Sequence, residues 1–196
     1  CTLPGGWICE NDGSLGYGGY ELVTRAYNLS WWDQLVSDIG HADKAIGADG
    51  SSACGGHIHI SDSRFTPLQL ADRLRPLFPL LMTLYPNRMR STYVRCSKMK
   101  QVKEDSGNKY QPFYIKDPRT NGKTIELRIF SAVKDATQLM WRARLLKLVL
   151  EASYEKGLSF AWMSKAIAKG GSIYTLLLEV YTEDQIRSKV ATFWSM

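Results

Sequence analysis

Two histidines stand one residue apart in the stretch "CGGHIHIS", directly after a pair of glycines. Their strict alternation with isoleucine predicts a β-strand, so His57 and His59 project from the same face. Imidazoles are common ligands of divalent metal ions. The stretch therefore predicts a strand whose two imidazoles could take part in a metal site.

A second alternating stretch, "KTIELRIF", has one apolar and one charged face. Glu126 and Arg128 share the charged face, and Glu21 in "YELVT" has the same kind of strand position. Carboxylate oxygens suit hard divalent ions, and the planar guanidinium group suits phosphate. Together with the two histidines, these residues predict a polar sheet face that holds a metal ion and a nucleotide.

Each of these features also has an ordinary structural explanation. A Glu-x-Arg pair on a strand is usually a solvated salt bridge, and a His-x-His pair is more often structural than functional. An isolated Glu21 indicates little by itself. The functional interpretation depends on the combination of the three stretches and on their order along the chain.

The elements between these stretches predict the fold class. Apolar spacings of three and four residues predict helices from Ser30 to Ile46, from Thr66 onward in two pieces broken by prolines, and over Ala136–Lys156. Short apolar runs at 5–10 and 19–24 predict a strand, a turn and a strand, and "YQPFYIK" predicts another strand inside a basic loop over 98–123. Three further helices are expected near 159–168, 173–180 and 182–193. The order predicts an α+β domain, an antiparallel sheet with helices packed on one face.

Composition limits the class of protein. The 196 residues, 44% hydrophobic and 22% charged, predict one globular domain over 1–196, with the motifs in about 12–156 and C-terminal helices over 157–196. No apolar run is long enough for a membrane span and no signal peptide is evident, so we expect a cytoplasmic protein with its four cysteines reduced. The net charge of +6 favours an anionic partner, such as a nucleotide, a polyanion or an acidic substrate.

Three stretches, "DGSLGYGGYELVT", "CGGHIHIS" and "TIELRIF", occur in an order and with helical spacers that resemble the amidoligase family. This family is a branch of the glutamine-synthetase-like carboxylate–amine ligases. The resemblance covers roughly residues 12–156. It implies the catalytic-domain fold of glutamine synthetase and an ATP-dependent joining of a carboxylate to an amine through an acyl phosphate.

The resemblance also implies roles for individual residues. Glu21 would bind one Mg²⁺ or Mn²⁺, and His57 with Glu126 would bind another. His59, beside Gly55 and Gly56, would contact the phosphates of ATP. Arg128 would neutralise charge on the transferred group, with Arg90 and Arg95 as further candidates in "YPNRMRSTYVRC", beside the weaker Arg88. The expected partners are a nucleotide and an amino-acid or peptide substrate.

One departure from the family pattern concerns metal binding. Family members carry a Gly-x-Glu-x-Glu-like first strand ahead of the Asp-Gly-Ser motif, and only Glu10 stands there in this chain. Because the chain also begins without Met, we expect an upstream segment or a second chain to complete the site. Two alternatives stay open: a non-catalytic structural or assembly domain, for example of a virus particle, and, ranked third, a nucleic-acid-binding module.

Overall fold

The computed structural model describes residues 2–12, 19–46, 55–88, 111–115, 124–155, 159–168 and 170–194. The predicted residues Arg90 and Arg95, the Asp-Gly-Ser turn after Asp12 and nearly all of the basic loop over 98–123 lie outside this part. The described chain forms two compact units, Cys1–Cys54 with Ala132–Arg144 and Gly55–Ser131 with Leu145–Met196.

The first unit contains a two-stranded antiparallel sheet and a long helix. Strand β1 (Ile8–Asn11) pairs with β2 (Tyr20–Val23), and α1 spans Trp32–Ile46. The helix is entered through a 3₁₀ turn, Leu29–Trp31, which is capped by Asn28 rather than by the predicted Ser30. The Asn28 side chain accepts a hydrogen bond from the Ser30 amide at 3.0 Å and so satisfies one of the free amides at the helix start.

A small core in the first unit is built on one face of α1. Its buried members are Trp7, Ile39 and Ala42. The strands contribute less than their sequence predicts, because Ile8 and Leu22 are exposed. The short apolar runs that predict these two strands therefore do not mark buried strands.

The second unit contains a three-stranded antiparallel sheet in the order β3–β5–β4. These strands are Gly55–Ile60, Ile125–Ser131 and Phe113–Ile115, respectively. Helix α2 (Pro67–Leu74) packs against β4 and β5, and Phe78 of α3 (Leu77–Leu84) contacts the ring of Phe113 with 5.2 Å between centroids. Ile125, Leu127 and Ile129 are completely buried, so the apolar face of the central strand is a core face.

Local signals account for the helix boundaries of the second unit. Thr66 and Gln69 form a reciprocal capping box with Pro67 at the first helical position. Pro76 ends α2, whereas Pro79 is tolerated in the first turn of α3, where its missing N–H has no partner in the helix. Thr182 and Gln185 form the same kind of box at the start of the last helix, with hydrogen bonds of 2.9 and 3.3 Å.

Four further helices follow the strands. They are α4 (Ala136–Glu155), α5 (Phe160–Ile167), α6 (Ser172–Leu177) and α7 (Glu183–Trp194). The expectation of an α+β chain with antiparallel strands is confirmed, although the described strands form two small sheets instead of one. No helix in the described ranges combines the length and the apolar character needed to cross a membrane.

Candidate functional site

The polar face of the three-stranded sheet brings together residues that lie far apart in the sequence. His59 of β3 stands directly opposite Glu126 of β5, and Tyr114 of β4 stands opposite Glu126 on its other side. Since cross-strand partners share a face, one row of polar side chains crosses all three strands. Sequence reasoning did not single out Tyr114, because its register against Glu126 depends on pairing that alternation alone does not reveal.

The register of β3 against β5 shifts by one residue at His57. Gly56 pairs with Phe130 and Ile58 pairs with Leu127, so Arg128 and Ile129 together stand opposite His57. This arrangement is that of a β-bulge, a feature that redirects side chains and occurs often beside functional sites.

Glu126 is the centre of the cluster. Its Oε1 lies 3.1 Å from Nδ1 of His57 and also accepts a hydrogen bond from the Arg128 guanidinium. The Glu126 side chain is only 8% exposed and that of Arg128 is 16% exposed, so this ion pair is largely shielded from water. A carboxylate this deeply buried requires such partners.

The contact with Glu126 orients the His57 ring. A carboxylate only accepts hydrogen bonds, so this contact favours the neutral tautomer with the proton on Nδ1 and the lone pair on Nε2. Burial lowers the pKa of His57, and the positive charge of Arg128 lowers it further, against the opposing effect of Glu126. His57 is therefore a neutral imidazole that presents Nε2 as a metal ligand or a proton acceptor.

Arg88 joins this cluster, although its sequence context made it only a weak candidate. Its side chain is buried, and its charge also lowers the pKa of His57. A Cβ atom added to Gly55 would lie 3.0 Å from Nη2 of Arg88 and 3.6 Å from Nε2 of His57. The sequence around Arg88 carries no signal for this contact, because Gly55 and Arg88 lie in separate elements.

Glu21 belongs to the first unit, while His57, His59, Glu126 and Arg128 belong to the second. Within its own unit, Glu21 pairs directly with Glu10 across the β1–β2 ladder. Like charges at directly opposite positions destabilise a strand pair. Glu10 is thus not isolated, as its sequence context suggested, but stands beside a second carboxylate.

The first unit also has a buried polar network that sequence reasoning missed. The Asp38 carboxylate accepts hydrogen bonds from Tyr27, from Gln34 at 2.7 Å and from Arg25 at 2.9 Å. The Trp7 indole donates to the Tyr27 hydroxyl at 2.6 Å. The hydrogen bond from Tyr27 is the main cause that lowers the pKa of Asp38. This network joins Trp7, just before β1, and the segment after β2 to α1, and its role is structural.

Comparison of the chain with protein-family models, with characterised proteins and with solved structures found no match. The function of the chain must therefore be inferred from the residues of the site themselves.

Proposed function

We propose that the chain is an ATP-dependent ligase that joins a carboxylate to an amine, with a catalytic domain of the glutamine-synthetase type. The observation that carries the proposal is the contact of Glu126 with both His57 and Arg128 on one sheet face. A phosphoryl-transfer site needs a carboxylate and an imidazole for a metal ion and a guanidinium for the phosphate charge. These three groups come from the two motifs with the clearest strand alternation.

The donor set fits a divalent ion that arrives together with nucleotide phosphates. Glu126 is one carboxylate and His57 is one neutral imidazole, while Arg128 and Arg88 add positive charge nearby. Mg²⁺ is commonly held by one or two carboxylates plus substrate phosphates, with water in the other positions. We therefore expect the site to bind metal and nucleotide cooperatively and to hold a metal ion alone only weakly.

The chain's own groups have distinct roles in the proposed reaction. A substrate carboxylate oxygen attacks the γ-phosphorus of ATP, and the bond to the ADP oxygen breaks. The amine nitrogen then attacks the acyl carbon and loses a proton, and inorganic phosphate leaves. Arg128 stabilises the charge on the transferred group, His59 contacts phosphate, and Glu126 with His57 would bind the metal ion, which neutralises phosphate charge.

The direct test is ADP formation by the purified chain with Mg²⁺, ATP, mixed amino acids and small peptides. We expect ADP formation that depends on an added carboxylate or amine, that rises when the native upstream segment is supplied covalently or as a separate chain, and that falls strongly in Glu126→Gln. The matched control is Glu151→Gln, because Glu151 lies on α4 and its described ion pair with Lys147 is long, at 3.9 Å. ADP formation that is equal in the two variants would remove Glu126 from the site.

A non-catalytic structural or assembly domain is the second candidate. In the described ranges, no group of three or more His, Cys, Asp or Glu side chains could hold a metal ion. This observation favours the non-catalytic candidate. In that case neither metal binding nor ADP formation should be detectable. Retention of Mn²⁺ in the presence of ATP distinguishes the two candidates.

A further inference from the structure

An open groove lies beside the start of α1 in the first unit. It has a volume of about 430 Å³ and is lined by Arg25, Ser30, Trp31, Asp33 and Gln34. This volume falls within the range of small-molecule sites, roughly 300–1,000 Å³. Trp31 is 55% exposed, so its indole offers an apolar aromatic surface that the core does not use. The groove thus combines an exposed ring with a few polar groups.

The polar groups along the groove are mainly hydrogen-bond acceptors. The Ser30 hydroxyl donates its one proton to Oδ1 of Asn28 at 3.0 Å, so its oxygen can only accept further hydrogen bonds. The Gln34 amide nitrogen donates to Oδ1 of Asp38 at 2.7 Å, which places the Gln34 carbonyl oxygen on the branch away from that carboxylate. The Asp33 carboxylate can only accept. A ligand that satisfies these groups supplies donors.

The balance of charge in the groove is negative. The Arg25 guanidinium forms an ion pair with Asp38 at 2.9 Å and lies over the Tyr27 ring at 4.9 Å, so its charge is compensated. Asp33 stands in the first turn of α1. The partial positive charge of the helix start stabilises this carboxylate without cancelling it. A carboxylate beside an exposed indole attracts an organic cation through an ion pair and a cation–π contact.

We propose that this groove binds a primary ammonium group carried on an apolar stem, the chemistry of a small alkylamine. The ammonium donates to Asp33, to the Ser30 hydroxyl and to the Gln34 carbonyl, and the stem lies against the Trp31 indole. These three acceptors match the three N–H donors of a primary ammonium. A carboxylate ligand would instead meet Asp33 and two further acceptors. The proposal is independent of the proposed ligase function, because none of these residues takes part in that reaction.

The test is an NMR titration of the full chain with n-butylammonium, and separately with 1-butanol and butyrate. The three probes share a stem but are cationic, neutral and anionic, respectively. Shifts of the backbone amide signals of Ser30 and Asp33 report binding in the groove. We expect n-butylammonium to bind with a dissociation constant on the order of 1 mM and the other two probes to bind about fivefold more weakly or less. The site is refuted if n-butylammonium gives no saturable shift, or if 1-butanol or butyrate binds as tightly.

Two substitutions separate the charge from the aromatic surface. Asp33→Asn should bind n-butylammonium about fivefold more weakly and leave the weak binding of 1-butanol unchanged. Trp31→Ala should lose about tenfold in affinity for n-butylammonium, and Trp31→Phe, which keeps a ring, should lose less.

Asp184→Asn is the matched control for Asp33→Asn. Asp184 is also an exposed carboxylate in the first turn of a helix, α7, and its ion pair with Arg187 is long, at 3.5 Å. This control should bind n-butylammonium as the wild type does, and circular dichroism confirms that each variant is folded. Wild-type affinity in folded Asp33→Asn or in folded Trp31→Ala would overturn the proposal.

Butyltrimethylammonium tests the hydrogen bonds of the ammonium group. This probe keeps the charge and the stem but has no N–H, so it should bind more weakly than n-butylammonium. Equal or tighter binding would contradict a site for primary ammonium. ADP formation enters none of these measurements, so the result stands apart from the ligase test.

Discussion

Replacement of Glu126 should reveal how strongly one carboxylate holds the cluster together. Both described contacts of this side chain, from His57 and from Arg128, are made to the same atom, Oε1. A glutamine that places its carbonyl oxygen at the same position can keep both contacts but carries no charge. An alanine accepts neither and leaves the Arg128 cation largely buried without its carboxylate.

The magnitudes follow from burial and charge. Removal of one partner from a buried ion pair costs about 3–5 kcal/mol of unfolding free energy, which we expect for Glu126→Ala. In Glu126→Gln the Arg128 guanidinium keeps a hydrogen bond to a neutral acceptor but loses its ion pair, and the His57 contact loses the carboxylate charge, a loss of about 1 kcal/mol for each contact. The expected destabilisation of Glu126→Gln is therefore about 2 kcal/mol, intermediate between wild type and alanine.

Urea unfolding followed by far-ultraviolet circular dichroism measures these differences. Glu151→Gln is the control and should change the unfolding free energy by less than about 0.5 kcal/mol, because its ion pair is long and solvent-exposed. If Glu126→Ala and Glu126→Gln both resemble the control, the carboxylate does not hold His57 and Arg128. Glu126, His57 and Arg128 would then not form a shielded cluster whose members depend on one another.

Three other predictions concern single groups in the two units. Arg128→Lys should keep an unfolding temperature close to that of the wild type but bind nucleotide more weakly, because lysine lacks the planar guanidinium fork. Calorimetric titration with nucleotide checks the affinity. Unchanged affinity would refute the role of Arg128 in nucleotide binding. Folding lowers the pKa of His57, so the unfolded chain takes up a proton at this residue first as the pH falls below the ordinary pKa of 6.5. The stability of the wild type should therefore fall with pH in this range. His57→Gln should show a smaller dependence of stability on pH, measured by urea unfolding. Folding lowers the pKa of Asp38 below its usual 3.8, so the ionised carboxylate stabilises the fold above that pH. Asp38→Asn should therefore be less stable than the wild type near neutral pH. This difference in unfolding free energy should shrink as the pH falls through the acid range, measured by urea unfolding at several pH values.

The elements of the fold were largely predictable because their signals are local. Capping residues such as Thr66 and Thr182 satisfy amides within their own helix turn, so the sequence alone identifies those helix starts. The alternation in "GGHIHI" and "IELRIF" likewise predicts both strands. The hairpin in the first unit shows a limit of apolar patterning, since Ile8 and Leu22 in its two short apolar runs are exposed.

The site was only partly predictable because its contacts depend on register. Alternation indicated that Glu126 and Arg128 share a face, but not that Glu126 would also contact His57. That contact depends on the pairing of β3 with β5 and on the bulge opposite His57. Arg88 was ranked low because nothing in its neighbouring sequence reveals that a distant glycine leaves space for its guanidinium.

Calorimetric titration with Mn²⁺ and a non-hydrolysable ATP analogue tests the central claim most directly. The account predicts that wild type binds the two ligands together and binds Mn²⁺ alone only weakly. Glu126→Gln, which should remain folded, is predicted to bind the metal–nucleotide pair at least about tenfold more weakly, because one carboxylate charge is lost from the donor set. Absence of binding by the wild type, or equal binding by the two folded proteins, would contradict a metal–nucleotide site on this sheet face.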